Sequence, residues 1–84
     1  MNKKITIYTT NACAYCDMVK RFLASKGLSF TVVNLDEEEP SVRQRVIEMS
    51  GAMTVPVTVV ESLDHERTDI TIGWNPSKLA AAVA

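Results

Sequence analysis

The sequence predicts an α/β fold with the element order β-α-β-α-β-β-α. Three observations carry that prediction. Short runs rich in β-branched and aromatic residues, such as Ile5-Thr6-Ile7-Tyr8 and Val57-Thr58-Val59-Val60, read as strands. Between them lie stretches with apolar residues at helical spacing, punctuated by Gly27, Gly51 and Asn75-Pro76. The first strand, first helix and second strand also follow one another over a length that suits a βαβ unit, with parallel strands and a right-handed crossover.

Taken in order, Lys3 to Tyr8 forms the first strand and Asn11-Ala12 breaks it. The first helix begins near Cys13 or Ala14 and stops at Gly27. On it Cys16, Val19 and Leu23 share one stripe, and Met18 and Phe22 form an adjoining one. Leu28 to Leu35 is β-branched and aromatic and predicts the second strand. The run Asp36-Glu37-Glu38-Glu39 precedes Pro40, which suits the first position of a helix. Acids there complement the helix dipole and need no further role. Val42, Val46 and Met49 give the second helix its apolar stripe, Arg43, Gln44, Arg45 and Glu48 face water, and Gly51 ends it. Met53-Thr54-Val55-Pro56 is a loop into the third strand, Val57 to Val60. The charged segment from Glu61 to Asp69, with Leu63 its only aliphatic residue, reads as a hairpin connection. Its partner strand runs from Thr68 to Ile72, and Gly73 breaks it. Asn75 suits an N-cap and Pro76 the first position of a last helix, whose apolar face is Leu79, Ala82 and Val83. With no repeat and no low-complexity linker, residues 1–84 are expected to form one domain.

Eighty-four residues can bury a modest core without several disulfides or a metal. A composition 46% hydrophobic and 23% charged is ordinary for a soluble domain. The formal charge of −1 gives no electrostatic reason to bind nucleic acid or an anionic membrane. No apolar run could span a bilayer, and Ile5-Thr6-Ile7-Tyr8 behind Lys3 and Lys4 is too short and polar for a signal-peptide core. The expectation is a cytoplasmic monomer.

Both cysteines lie in Thr9-Thr10-Asn11-Ala12-Cys13-Ala14-Tyr15-Cys16, at the junction of the first strand and first helix. The loop they close is too small to staple a fold, so in a reducing compartment the pair is catalytic or metal-binding rather than structural. A helix N-terminus concentrates positive potential and favours thiolate over thiol. Cys16 belongs to the buried stripe and Cys13 lies at the helix mouth, so the spacing makes Cys13 the more exposed sulfur.

The stretch Tyr-Thr-Thr-x-x-Cys-Ala-Tyr-Cys, the tripeptide Thr54-Val55-Pro56 and the order of elements resemble the glutaredoxin branch of the thioredoxin-fold proteins, over nearly the whole chain. The resemblance implies a four-stranded mixed sheet flanked by three helices and a cis peptide between Val55 and Pro56, beside the dithiol. It also implies a thiol–disulfide oxidoreductase. Cys13 is expected to attack a substrate disulfide and Cys16 to resolve the mixed disulfide. Substrate contacts are expected from Tyr15, Thr54, Val55, Pro56, Gly73 and Trp74, with the Val55 backbone pairing with the substrate like a short strand. The implied partners are disulfide-containing proteins, with thioredoxin reductase or ribonucleotide reductase among the candidates, and no bound cofactor. Glutathione is a candidate co-substrate, but its usual polar handles are poor. Thr10 stands where those family members carry Lys, Met53 where they carry a basic or amide residue, and Gly73-Trp74-Asn75-Pro76 where they carry Gly-Gly and Asp. The Gly73-Trp74-Asn75-Pro76 segment looks more like the small glutaredoxin-like redoxins, although those that serve ribonucleotide reductase usually have Gln where this chain has Tyr15. The 61–69 connection is longer than usual for the family.

Plainer readings stand beside these. Tyr15 can be a half-wet aromatic cover, and Trp74 can fill the core, though its place between Gly and a turn favours partial exposure. Asp17 reads as a solvated first-turn acid rather than a proton acceptor, and Lys20, four residues after Cys16, either adds positive field at the dithiol or is simply solvated. His65 is the only histidine, and its distance from the cysteines has no zinc-site regularity, so no metal site is expected. The competing function is a metal or iron–sulfur delivery module on the same frame, with a [2Fe–2S] cluster bridging two copies through Cys13.

Overall fold

The computed structural model describes residues 3–51, 54–62 and 67–84. Met53, Leu63 and His65 lie outside the described residues, as does the middle of the 61–69 connection. The first β-branched run becomes β1, Lys3–Thr9, and it is paired on both sides. Its parallel neighbour is β2, Thr31–Asn34, and its antiparallel neighbour is β3, Val57–Ser62. The hairpin partner β4, Arg67–Ile72, completes a mixed sheet in the order β2-β1-β3-β4.

Alternation along the strands then assigns the helices to faces. Ile5, Ile7 and Val60 pack with Val19 and Leu23 of α1, Ala14–Ser25, and with Leu79, Ala82 and Val83 of α3, Pro76–Val83. On the opposite face Val57 and Val59 pack with Leu35 and with Val46 of α2, Pro40–Ser50. This is the four-stranded mixed sheet with three helices that the resemblance implies.

The predicted second strand is shortened at both ends. Gly27 takes φ 70°, its N–H bonds to Ala24 O, and Leu28 N–H bonds back to Leu23 O at 3.1 Å. That double closure ends α1 and brings Leu28 against the core beside Leu23, so Leu28 cannot start a ladder. At the other end Leu35 begins a 3-10 turn, Leu35–Glu37, which Asn34 caps by accepting Asp36 N–H. Pro40 does stand at the first position of α2, and Gly51 ends it at φ 74°. Asn75 caps α3 by accepting Lys78 N–H at 3.1 Å. Among the described residues no helix is long and apolar enough to cross a membrane.

Candidate functional site

The turn from β1 into α1 positions the two sulfurs. Cys13 is the N-cap residue of α1, in extended backbone (φ −140°), and its Sγ accepts the Cys16 N–H at 3.2 Å. A helix-start donor that would otherwise lack a partner is thus aimed at the first sulfur. It and the helix dipole favour negative charge there once the pair is reduced. Cys16 follows one turn later on the buried stripe and is 1% exposed, whereas Cys13 is only partly buried. The two are joined as a disulfide with Cα atoms 5.3 Å apart. Helical periodicity alone orders the sulfurs in this way.

The charges beside the dithiol are plain. Lys20 Nζ lies 3.9 Å from Asp17 Oδ1, one turn along α1; Asp17 is exposed and Lys20 half-buried. Tyr15 is 58% exposed. Among the described residues no group of three or more His, Cys, Asp or Glu side chains is placed to hold a metal ion.

The Val55–Pro56 peptide is cis. Pro56 is buried, Val55 is half-buried and Thr54 is exposed. Among the described residues nothing pairs with the Val55 backbone N–H or C=O. Gly73, at φ 73°, donates its N–H to Pro56 O at 2.8 Å, which draws the end of β4 onto the loop before β3. Trp74 then lies half-buried against the α1/α3 core, edge-on to Phe22 with ring centroids 5.8 Å apart. It is partly exposed, as expected, but it also contributes to packing.

Sequence reasoning missed one group beside the dithiol. Asp36 Oδ2 accepts the Asn11 N–H at 2.8 Å, and Asp36 Oδ1 accepts from Arg43 Nη2 at 3.0 Å. Asn34 Nδ2 donates to Asn11 Oδ1 at 2.7 Å. Within the acidic run, Glu37, Glu38 and Glu39 are exposed, but Asp36 reaches into the dithiol loop. The available signal was Asn34, a capping residue type placed just before an acid.

A buried and a half-exposed sulfur at the start of α1, together with a cis-proline loop ahead of β3 in a four-stranded mixed sheet, define a thioredoxin-fold dithiol redoxin. The family model for glutaredoxin matches residues 5–63. The chain is 34% identical over 76 residues to the glutaredoxin-like protein NrdH of Lactococcus lactis subsp. cremoris, spanning 90% of this chain and 94% of that protein. Its structure resembles the glutaredoxin of Archaeoglobus fulgidus with a TM-score of 0.79 at 26% identity, covering 95% of this chain and 85% of that one. It also resembles the glutaredoxin-like NrdH-redoxin of Escherichia coli, with a TM-score of 0.75 at 27% identity, covering 93% and 92%. The chain belongs to the glutaredoxin family, as a glutaredoxin-like redoxin with a Cys13–Cys16 pair.

Proposed function

We propose that the chain is a thiol–disulfide oxidoreductase that reduces disulfides in protein partners through Cys13 and Cys16. Its electrons come from thioredoxin reductase rather than glutathione. The observation that carries this reading is the asymmetry of the sulfurs: Cys13 at the helix mouth with a donor on its Sγ, Cys16 buried behind it. The thiolate of Cys13 attacks one sulfur of the substrate disulfide, forming a mixed disulfide and expelling the other sulfur as a thiolate. Cys16, losing its proton, attacks Cys13 Sγ and releases the second substrate sulfur. The substrate gains two electrons and two protons, and the chain is left with the Cys13–Cys16 disulfide. The Val55 backbone groups, unpaired among the described residues, align an extended substrate segment. Tyr15, Thr54, Gly73 and Trp74 flank it, with Pro56 as the buried floor.

Two features support the choice of reductant. In the segment where the family resemblance puts the γ-glutamyl end of glutathione, Gly73 N–H is bonded to Pro56 O and the Asn75 side chain caps α3. Pro76 has no N–H to offer. The Escherichia coli NrdH-redoxin, similar over most of both chains, is described as having a thioredoxin-like activity profile. Ribonucleotide reductase is the candidate protein substrate that suits the Gly73-Trp74 end, with Tyr15 as the departure noted above.

Cys13→Ser is expected to abolish disulfide reduction, and Cys16→Ser to accumulate a mixed disulfide detectable by mass spectrometry. In coupled assays, NADPH with thioredoxin reductase is expected to reduce the oxidised protein efficiently, and NADPH with glutathione and its reductase poorly. Full activity in the Cys13 variant would refute the mechanism. Efficient turnover at low glutathione would refute the choice of reductant.

A further inference from the structure

The geometry points to Asp36 as a positioning residue for Cys13, holding the dithiol loop through the Asn11 backbone. This inference rests on the proposal that Cys13 is the attacking sulfur. Asn11 lies two residues before Cys13 in the short segment between β1 and α1. Its N–H is taken by Asp36 Oδ2 at 2.8 Å, across 25 residues of sequence. Its side-chain oxygen is taken by Asn34 Nδ2 at 2.7 Å. Asn34 Oδ1 accepts Asp36 N–H at 2.9 Å, so Asn11, Asn34 and Asp36 close a ring of three hydrogen bonds. Arg43 of α2 fixes the Asp36 carboxylate from the far side at 3.0 Å. The loop is thus tied at both the backbone and the side chain of one residue. A charge-assisted bond to a backbone N–H is among the stronger hydrogen bonds.

The consequence for Cys13 follows from its place in the helix. Its Sγ receives Cys16 N–H only while Cys13 keeps the extended N-cap conformation that the loop delivers. Asp36 keeps the residues before the cap in register, so the sulfur stays on the donor after the disulfide opens. The carboxylate is a poor candidate for a direct electrostatic role. Its charge is shared with Arg43, and a bare negative charge near the loop would oppose the thiolate rather than support it.

These two roles predict opposite results. In reduced protein at neutral pH, Asp36→Ala is expected to slow iodoacetamide alkylation of Cys13 about three- to tenfold, the size of a lost hydrogen bond to charge passed on in part. Asp36→Asn keeps an oxygen that can accept Asn11 N–H, and its rate is expected within about twofold of the parent, a rescue by the conservative variant. Asn34→Ala is expected to slow alkylation in the same direction and to be non-additive with Asp36→Ala, because both act on one loop. It keeps the inference testable should Asp36→Ala fail to fold. Faster alkylation in both Asp36 variants would mean that charge is what matters. Equal slowing in both would mean that the acceptor oxygen is not. An unchanged rate with only lowered stability would leave Asp36 merely structural. Each of these overturns the inference. Peptide mapping of the alkylated parent separates the two levels. First reaction at Cys16 would sink the underlying mechanism, whereas first reaction at Cys13 with no response to Asp36→Ala would sink this inference alone.

Discussion

Cys13 and Cys16 differ by a single helical turn, and that turn separates a sulfur that partners can reach from one they cannot. The difference was legible in the sequence because helical period is a local property, and Val19 and Leu23 continue the Cys16 stripe. The role of Asp36 was legible only in its local cap, Asn34 two residues before it. Its partner Asn11 lies in another element, and a contact between two loops leaves no periodic trace. The buried threonines were equally silent. Thr58 and Thr71 face each other across β3 and β4, both fully buried, and among the described residues neither Oγ1 has a hydrogen-bond partner. A buried hydroxyl without a partner keeps its desolvation penalty. Thr58→Val, which replaces the hydroxyl by a methyl of similar size, is therefore expected to raise stability by about 1 kcal/mol, read as a higher urea midpoint with unchanged slope. A lower midpoint would show that the hydroxyl is satisfied in solution.

At the scale of elements, most ends were foretold by their residues. Gly27 and Gly51 adopt the left-handed backbone that closes α1 and α2, and Asn75-Pro76 opens α3 as its types suggest. Two readings were wrong: the 61–69 connection, where β3 runs on to Ser62 and β4 already starts at Arg67, and β2, where a β-branched run extends past the ladder on both sides. Strand propensity could not show that Leu28 belongs to the closure of α1, nor that Leu35 opens a 3-10 turn. The cap on α3 gives a clean test. Asn75→Ala removes the acceptor for Lys78 N–H and is expected to cost about 1 kcal/mol of stability. Thermal melts should show the loss, with the rate of Cys13 alkylation unchanged. A slowed Cys13 would mean that the start of α3 communicates with the dithiol.

Across the whole molecule, the sheet separates two apolar layers, with α1 and α3 covering one face and α2 the other. The first layer carries the dithiol helix, and α3 locks onto it through Leu79, which is fully buried. Lys3 Nζ also reaches the Ala82 and Ala84 carbonyls, tying the start of β1 to the end of α3. Leu79→Ala is expected to cost about 2–5 kcal/mol, measured by urea denaturation. The folded fraction should still react at Cys13. Loss of less than about 1 kcal/mol would show that α3 contributes little to holding α1.

The register of β1 against β3 also has a kinetic meaning. The strand–turn–helix that carries both sulfurs is continuous in sequence, so it can form from local contacts. Thr54 to Pro56 reach it only when β3 closes a long loop onto β1, an entropically slower event. A growing chain therefore holds both thiols before Thr54 to Pro56, the proposed docking edge, are in place. Until that loop closes, the thiols stand without that edge.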